Sequence, residues 1–149
     1  MWGFILADLP PEEAAELNAA ARTRTLDPIL IMRPMSSPAR LAEIGRQASG
    51  FVYCTPRTGV TGRRTDLSEG VSAFLERYRA ATPLPLGLGF GIKTAGDVRA
   101  LRGLAEIAIV GTACLEVWKT HGARGYGAFS QSPHRADGLR ADQRARFCG

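Results

Sequence analysis

The sequence predicts an α/β fold built on parallel strands. Short apolar runs alternate with helix-like stretches at the spacing of βα units. The runs are continuously apolar, as parallel strands buried on both faces must be. Glycine clusters stand where a run ends and the next helical pattern begins.

Taken in order, the predicted strands are Phe4–Ala7, Ile29–Met32, Phe51–Cys54, Leu84–Gly89 and Ile107–Val110. The first helix starts at Pro10-Pro11-Glu12-Glu13, where proline and acids suit a helix N-terminus, and ends near Arg22 and Arg24. The second starts at Ser36/Ser37-Pro38 and lines up Leu41, Ile44 and Ala48. The third starts at Ser68-Glu69 and places Val71, Phe74, Leu75 and Tyr78 on one stripe. The fourth opens with Thr94 and Asp97 in capping-box spacing, ahead of Val98 and Leu101. All these stripes read as core packing against a sheet. Beyond about Trp118 no sustained apolar period remains. Residues 1–118 are therefore read as the folded α/β part, and 119–149 as an irregular basic tail, disordered or aberrant.

Composition narrows the function classes. The 149 residues, 45% hydrophobic and 22% charged, suit one soluble domain with a real core. No apolar run approaches the roughly 18 residues that would span a membrane. The start, Met1 to Asp8, lacks a basic n-region and does not read as a signal peptide. Cys54, Cys114 and Cys148 are scattered without metal-like spacing, which points to reduced thiols and a cytoplasmic location. The net charge of +5 belongs mostly to the tail. Residues 1–118 balance 13 basic against 12 acidic side chains, whereas 119–149 hold six basic and two acidic ones. A nearly neutral body argues against nucleic-acid binding.

Several chemistries fail on spacing. There is no Gly-x-x-x-x-Gly-Lys-Ser/Thr loop. Gly87-Leu88-Gly89-Phe90-Gly91 would need a further glycine at 92 or 94 to be a dinucleotide fingerprint, and those positions are Ile92 and Thr94. His121 and His134 both fall in the tail, with no nucleophile elbow in the chain. What remains are the glycine-bearing strand ends: Arg57–Gly62, Gly89–Ile92 and Val110–Ala113. Backbone approaches an anion closely only where no Cβ intrudes. Gly111-Thr112-Ala113 would also open a helix whose free N–H groups favour a dianion. In a parallel α/β barrel the loops after the last strands commonly hold a phosphate. Each glycine alone reads equally as a turn residue; three at successive strand ends favour a shared phosphate. Asp8, just after the first strand, is either a functional residue or a helix N-cap.

These residues together resemble the α subunit of tryptophan synthase. The resemblance runs over roughly residues 3–113 in one register, through Ala7–Glu13, Ala48–Tyr53, Arg57–Gly62, Gly89–Ile92 and Ile109–Ala113. It implies part of a TIM (β/α)8 barrel with about five parallel strands, beginning where the family's fourth strand should lie. It implies a lyase of tryptophan biosynthesis that cleaves indole-3-glycerol phosphate to indole and glyceraldehyde 3-phosphate. The family works with a pyridoxal-phosphate-dependent β subunit, and the α chain needs no cofactor or metal of its own.

Carried over by position, Gly62, Gly91, Gly111 and Thr112 match the holders of the substrate phosphate, with threonine in place of the usual serine. Thr61 and Arg57 match the mobile loop, Phe90 and Ile92 the substrate pocket, and Asp8 and Pro10 the β-subunit interface. Arg33-Pro34-Met35-Ser36 departs from the family's usual Ala-Pro-Thr. The family's catalytic pair, a glutamate ending its second strand and an aspartate in the next loop, matches no acid of this sequence, so no catalytic residue is assigned. The alternative function is a non-catalytic half-barrel that binds a phosphorylated ligand or the β subunit.

Overall fold

The computed structural model describes residues 2–55, 69–89, 92 and 95–131. Its elements alternate as expected: β1 (Gly3–Ile5), α1 (Ala15–Thr23), β2 (Asp27–Ile29), β3 (Ile31–Met32), α2 (Pro38–Gln47), β4 (Val52–Cys54), α3 (Glu69–Ala81), β5 (Leu86–Leu88), α4 (Ala95–Ala100), β6 (Ile107–Ala108) and α5 (Thr112–Gln131). Every strand pair is parallel and the order is sequential, β1-β2 in one sheet and β3-β4-β5-β6 in the other.

The predicted strand Ile29–Met32 is two strands, parted at Leu30. Its first half pairs with β1 and its second with β4, so one run of chain joins both sheets. Tyr53 N–H still donates to the Leu30 carbonyl at 2.9 Å, which carries the ladder across the break.

Register sorts the residues of the larger sheet into two faces. Met32, Cys54, Leu88 and Ala108 lie side by side, and Val52 and Leu86 share their face. All six are buried in the core against α2 and α3. Leu41, Ile44 and Ala48 of the second helix meet Val71, Leu75 and Tyr78 of the third there, as their stripes predict. The opposite face carries Ile31, Tyr53, Gly87 and Ile107 in one row, and of these only Gly87 is buried. Large and small residues alternate on it. A Cβ on Gly87 would come within 2.8 Å of the Phe51 ring, and one on Gly89 within 2.5 Å of the Tyr53 hydroxyl.

Ser37 caps α2 as expected, its side chain accepting from Arg40 N–H at 3.2 Å, with Pro38 in the first turn. The first helix departs from expectation. Residues Pro10–Ala14 form turns, and the helix starts only at Ala15, behind Ala14 as an N-cap without a side-chain bond. Asp8 is therefore not a cap. The tail departs too. Residues 119–131, expected to be irregular, continue α5, which bends at Gly122 (φ 60°, ψ −161°). The bend stacks Trp118 edge-on against Tyr126 at 5.8 Å, a contact between residues eight apart that a straight helix would hold roughly 12 Å apart along its axis. Residues 132–149 lie outside the described residues. Among the described residues no helix is long and apolar enough to cross a membrane.

Candidate functional site

The C-terminal ends of β4, β5 and β6 lie side by side in the sheet. Thr55 N–H donates to the Met32 carbonyl at 3.1 Å, Gly89 N–H to Cys54 at 3.4 Å and Ile109 N–H to Leu88 at 2.9 Å. The ladders thus run to Thr55, two residues before Arg57, to Gly89 itself, and to Ile109, just before Val110. Of the residues expected there, Arg57, Thr61, Gly62, Phe90 and Gly91 lie outside the described residues. Gly111 and Thr112 are described, and they do open a helix. Leu115 N–H donates to the Gly111 carbonyl at 3.1 Å, and Thr112 is the first residue of α5. Ile92, expected in a substrate pocket, is buried in the core cluster.

The two described strand-end glycines differ in kind. Gly89 is held by protein: the Tyr53 hydroxyl donates to its carbonyl at 2.7 Å, and the ring occupies the space a side chain would need. Among the described residues beyond its chain neighbours, Gly111 has no atom within 4 Å of where its Cβ would stand, and its φ is not positive. Neither packing against the described residues nor backbone conformation accounts for glycine at 111.

Tyr53 is the residue that sequence reading missed. Mid-strand, it looked like core; only its parity opposite Cys54 in the ladder turns it to the second face. Burial raises its phenol above the ordinary value of 10.0. Behind it, burial pushes the Cys54 thiol up to about 12, and it pushes Tyr78 up as well, so both stay protonated.

Asp8 and Pro10 fall elsewhere in the row of strands, at the ends of β1 and β3. With Leu9, Arg33, Arg40 and Ile44 they line a cavity of about 490 Å³. Arg33 donates to the Ala7 carbonyl at 3.3 Å, and Arg40 pairs with Glu12 at 3.2 Å. Among the described residues no cluster of His, Cys, Asp and Glu could hold a metal.

The family model for the tryptophan synthase alpha chain matches residues 1–132. The chain belongs to the tryptophan synthase alpha chain family. The alpha chain of Desulforapulum autotrophicum is 43% identical over 130 residues, covering 87% of this chain and 51% of that relative. That of Roseiflexus castenholzii is 50% identical over 115 residues, covering 77% and 44%. Among solved structures, a tryptophan synthase of Mycobacterium tuberculosis superposes with a TM-score of 0.75 at 32% identity, covering 85% of this chain and 48% of that one. The chain thus spans about half the length of the curated relatives it matches. The match to residue 132 takes in the bent half of α5, which the sequence reading had left outside the fold.

Proposed function

We propose that this chain is the phosphate-holding part of a tryptophan synthase alpha barrel, the lyase that cleaves indole-3-glycerol phosphate to indole and glyceraldehyde 3-phosphate. Gly111 carries the reading. It is a glycine that neither its described neighbours nor backbone strain demand, set just before the first residue of α5. Bare N–H groups at such a terminus attract a dianion, and a missing Cβ lets phosphate approach. Thr112 adds a hydroxyl donor, and Gly62 and Gly91 supply the other two backbone contacts from the loops after β4 and β5. By the family resemblance, Arg57 and Thr61 match its mobile loop and Phe90 its substrate pocket.

The chain grips but does not cleave, because no acid of this sequence matches the family's catalytic carboxylates. Titration of the 149-residue chain with indole-3-glycerol phosphate, followed by 31P NMR, tests the grip. A saturable shift that Gly111→Asp removes is expected, with indole release equal to buffer. No shift would overturn the grip, and indole turnover would overturn the division of labour.

A second reading rests on the cavity beside Asp8 and Pro10, positions the family places near its β subunit. Docking there would show as stimulation of the β subunit's reaction by this chain, and Asp8→Ala should reduce it.

A further inference from the structure

A second cavity, also of about 490 Å³, opens between α3 and the turns that lead from α4 into β6. The lengths of the two crossovers account for it. α3 has 13 residues, about 20 Å of helix, whereas α4 has six, about 9 Å. Turns over Leu101–Ala105 complete the shorter crossover and leave part of the α3 flank uncovered. Leu75 and Leu104 give the cavity apolar walls, and Ser72, Glu76, Arg79 and Glu106 give it polar ones. Gly103, at φ 78°, turns the chain there without setting a side chain in the space. Glu106 immediately precedes β6 and accepts from the first N–H of β5, so the cavity lies at the opposite ends of these strands from Gly89 and Gly111.

The polar groups of this cavity divide into two kinds. Arg79 donates to the Leu84 carbonyl at 3.1 Å and to Glu106, which also accepts from Leu86 N–H at 2.7 Å. Ser72 and Glu76 stand one turn apart on one face of α3, and neither side chain has a partner among the described residues. Two carboxylates, Glu76 and Glu106, against the single guanidinium of Arg79 leave the walls with one net negative charge. We propose that this cavity binds a small organic amine, its ammonium group donating to the Glu76 carboxylate and the Ser72 hydroxyl and its apolar body lying against Leu75 and Leu104. The site is separate from the phosphate grip and does not depend on it. An anion finds no welcome here, because Arg79 is already engaged with protein acceptors and both carboxylates repel negative charge. A neutral apolar molecule would strip water from Glu76 and return no partner. An amine on an apolar stem answers both walls at once, and the volume is that of a small-molecule site.

The test titrates phenethylamine, a cation at neutral pH, into the 15N-labelled 149-residue chain and follows the amide resonances. Saturable shifts are expected at Ser72, Glu76 and Leu104. The neutral and anionic counterparts, 2-phenylethanol and 3-phenylpropionate, should bind at least threefold more weakly. Glu76→Gln keeps the shape of the wall and removes its charge, and should weaken phenethylamine at least threefold. Ser72→Lys sets an ammonium of the chain itself one turn from Glu76 and should abolish binding. Glu16→Gln, an exposed carboxylate on α1, should leave the affinity unchanged. Circular-dichroism melts establish that each variant is folded. The proposal is overturned by shifts that do not saturate, by equal binding of the three probes, or by indifference to Glu76→Gln. Tighter binding of Nα-acetyl-lysinamide than of phenethylamine would overturn it too, since the cavity would then suit a basic side chain of another protein.

Discussion

Two strand-end glycines, alike in sequence, invite opposite expectations. Gly111→Ala enters open space at a helix start, so the fold should lose only a few tenths of a kcal/mol, while binding of indole-3-glycerol phosphate falls at least tenfold. A thermal melt and a 31P titration of the same variant separate these effects. Gly89→Ala drives a methyl into the Tyr53 hydroxyl and ring, and displacing them should cost about 1–3 kcal/mol. Equal melting temperatures for the two variants would contradict the distinction. Cys54 supplies a pH prediction. Its folded value of about 12 lies above the ordinary 9.0, so its contribution to stability is complete below pH 9 and is lost as pH rises toward 12. Denaturant midpoints measured between those limits should fall, and Cys54→Ala should flatten the slope.

At the scale of elements, helix contacts decide signs that propensity alone would get wrong. In an exposed helix, Gly→Ala is worth roughly 1 kcal/mol of stabilisation. Gly45 sits mid-α2, but its Cβ would lie 2.3 Å from the Ala81 carbonyl at the end of α3. Backbone cannot swing aside as a side chain can, so Gly45→Ala should destabilise by about 2 kcal/mol or more, read from urea unfolding. Glu106 ties β5 to β6 by accepting from Leu86 N–H at 2.7 Å and from Arg79. Burial alone would raise its carboxyl, but these two donors outweigh burial and hold it below the ordinary 4.5. Its contribution is therefore present above that value and lost as pH falls through the depressed one. Glu106→Ala should cost about 1 kcal/mol at pH 7, the half-exposed Arg79 pair being screened by solvent, and less in strong acid, where the neutral carboxyl keeps only its carbonyl acceptor. Strand and helix existence was legible at this scale wherever a stripe was clear, as in α2 and α3. The bent half of α5 was not. Gly122, Gly125 and Gly127 read as breakers, and the Trp118–Tyr126 contact that closes the bend is invisible to local pattern.

For the whole molecule, open edges imply a stability that depends on company. Anything that binds only the folded chain raises its melting temperature with concentration. Indole-3-glycerol phosphate, bound as proposed, should therefore raise the Tm progressively, whereas glycerol at equal concentration should not. Among the described residues β1 and β6 each have one free edge, a template for adventitious pairing, so self-association of the 149-residue chain should grow with protein concentration in light scattering.

The sequence by itself determined the parallel α/β class, the family, the stripes that became core and the neutral body, because these depend on local period or on residues in fixed register. It did not determine which apolar run stays exposed. Phe4–Ala7 is as apolar as Phe51–Cys54, yet β1 lies at an edge with Ile5 in solvent while Val52 and Cys54 are fully buried. Nor did it tell the glycine that Tyr53 requires from the glycine that no described residue requires. Periodicity records what a residue could bury. What covers it comes from elements distant in sequence, and only the tertiary structure brings those together.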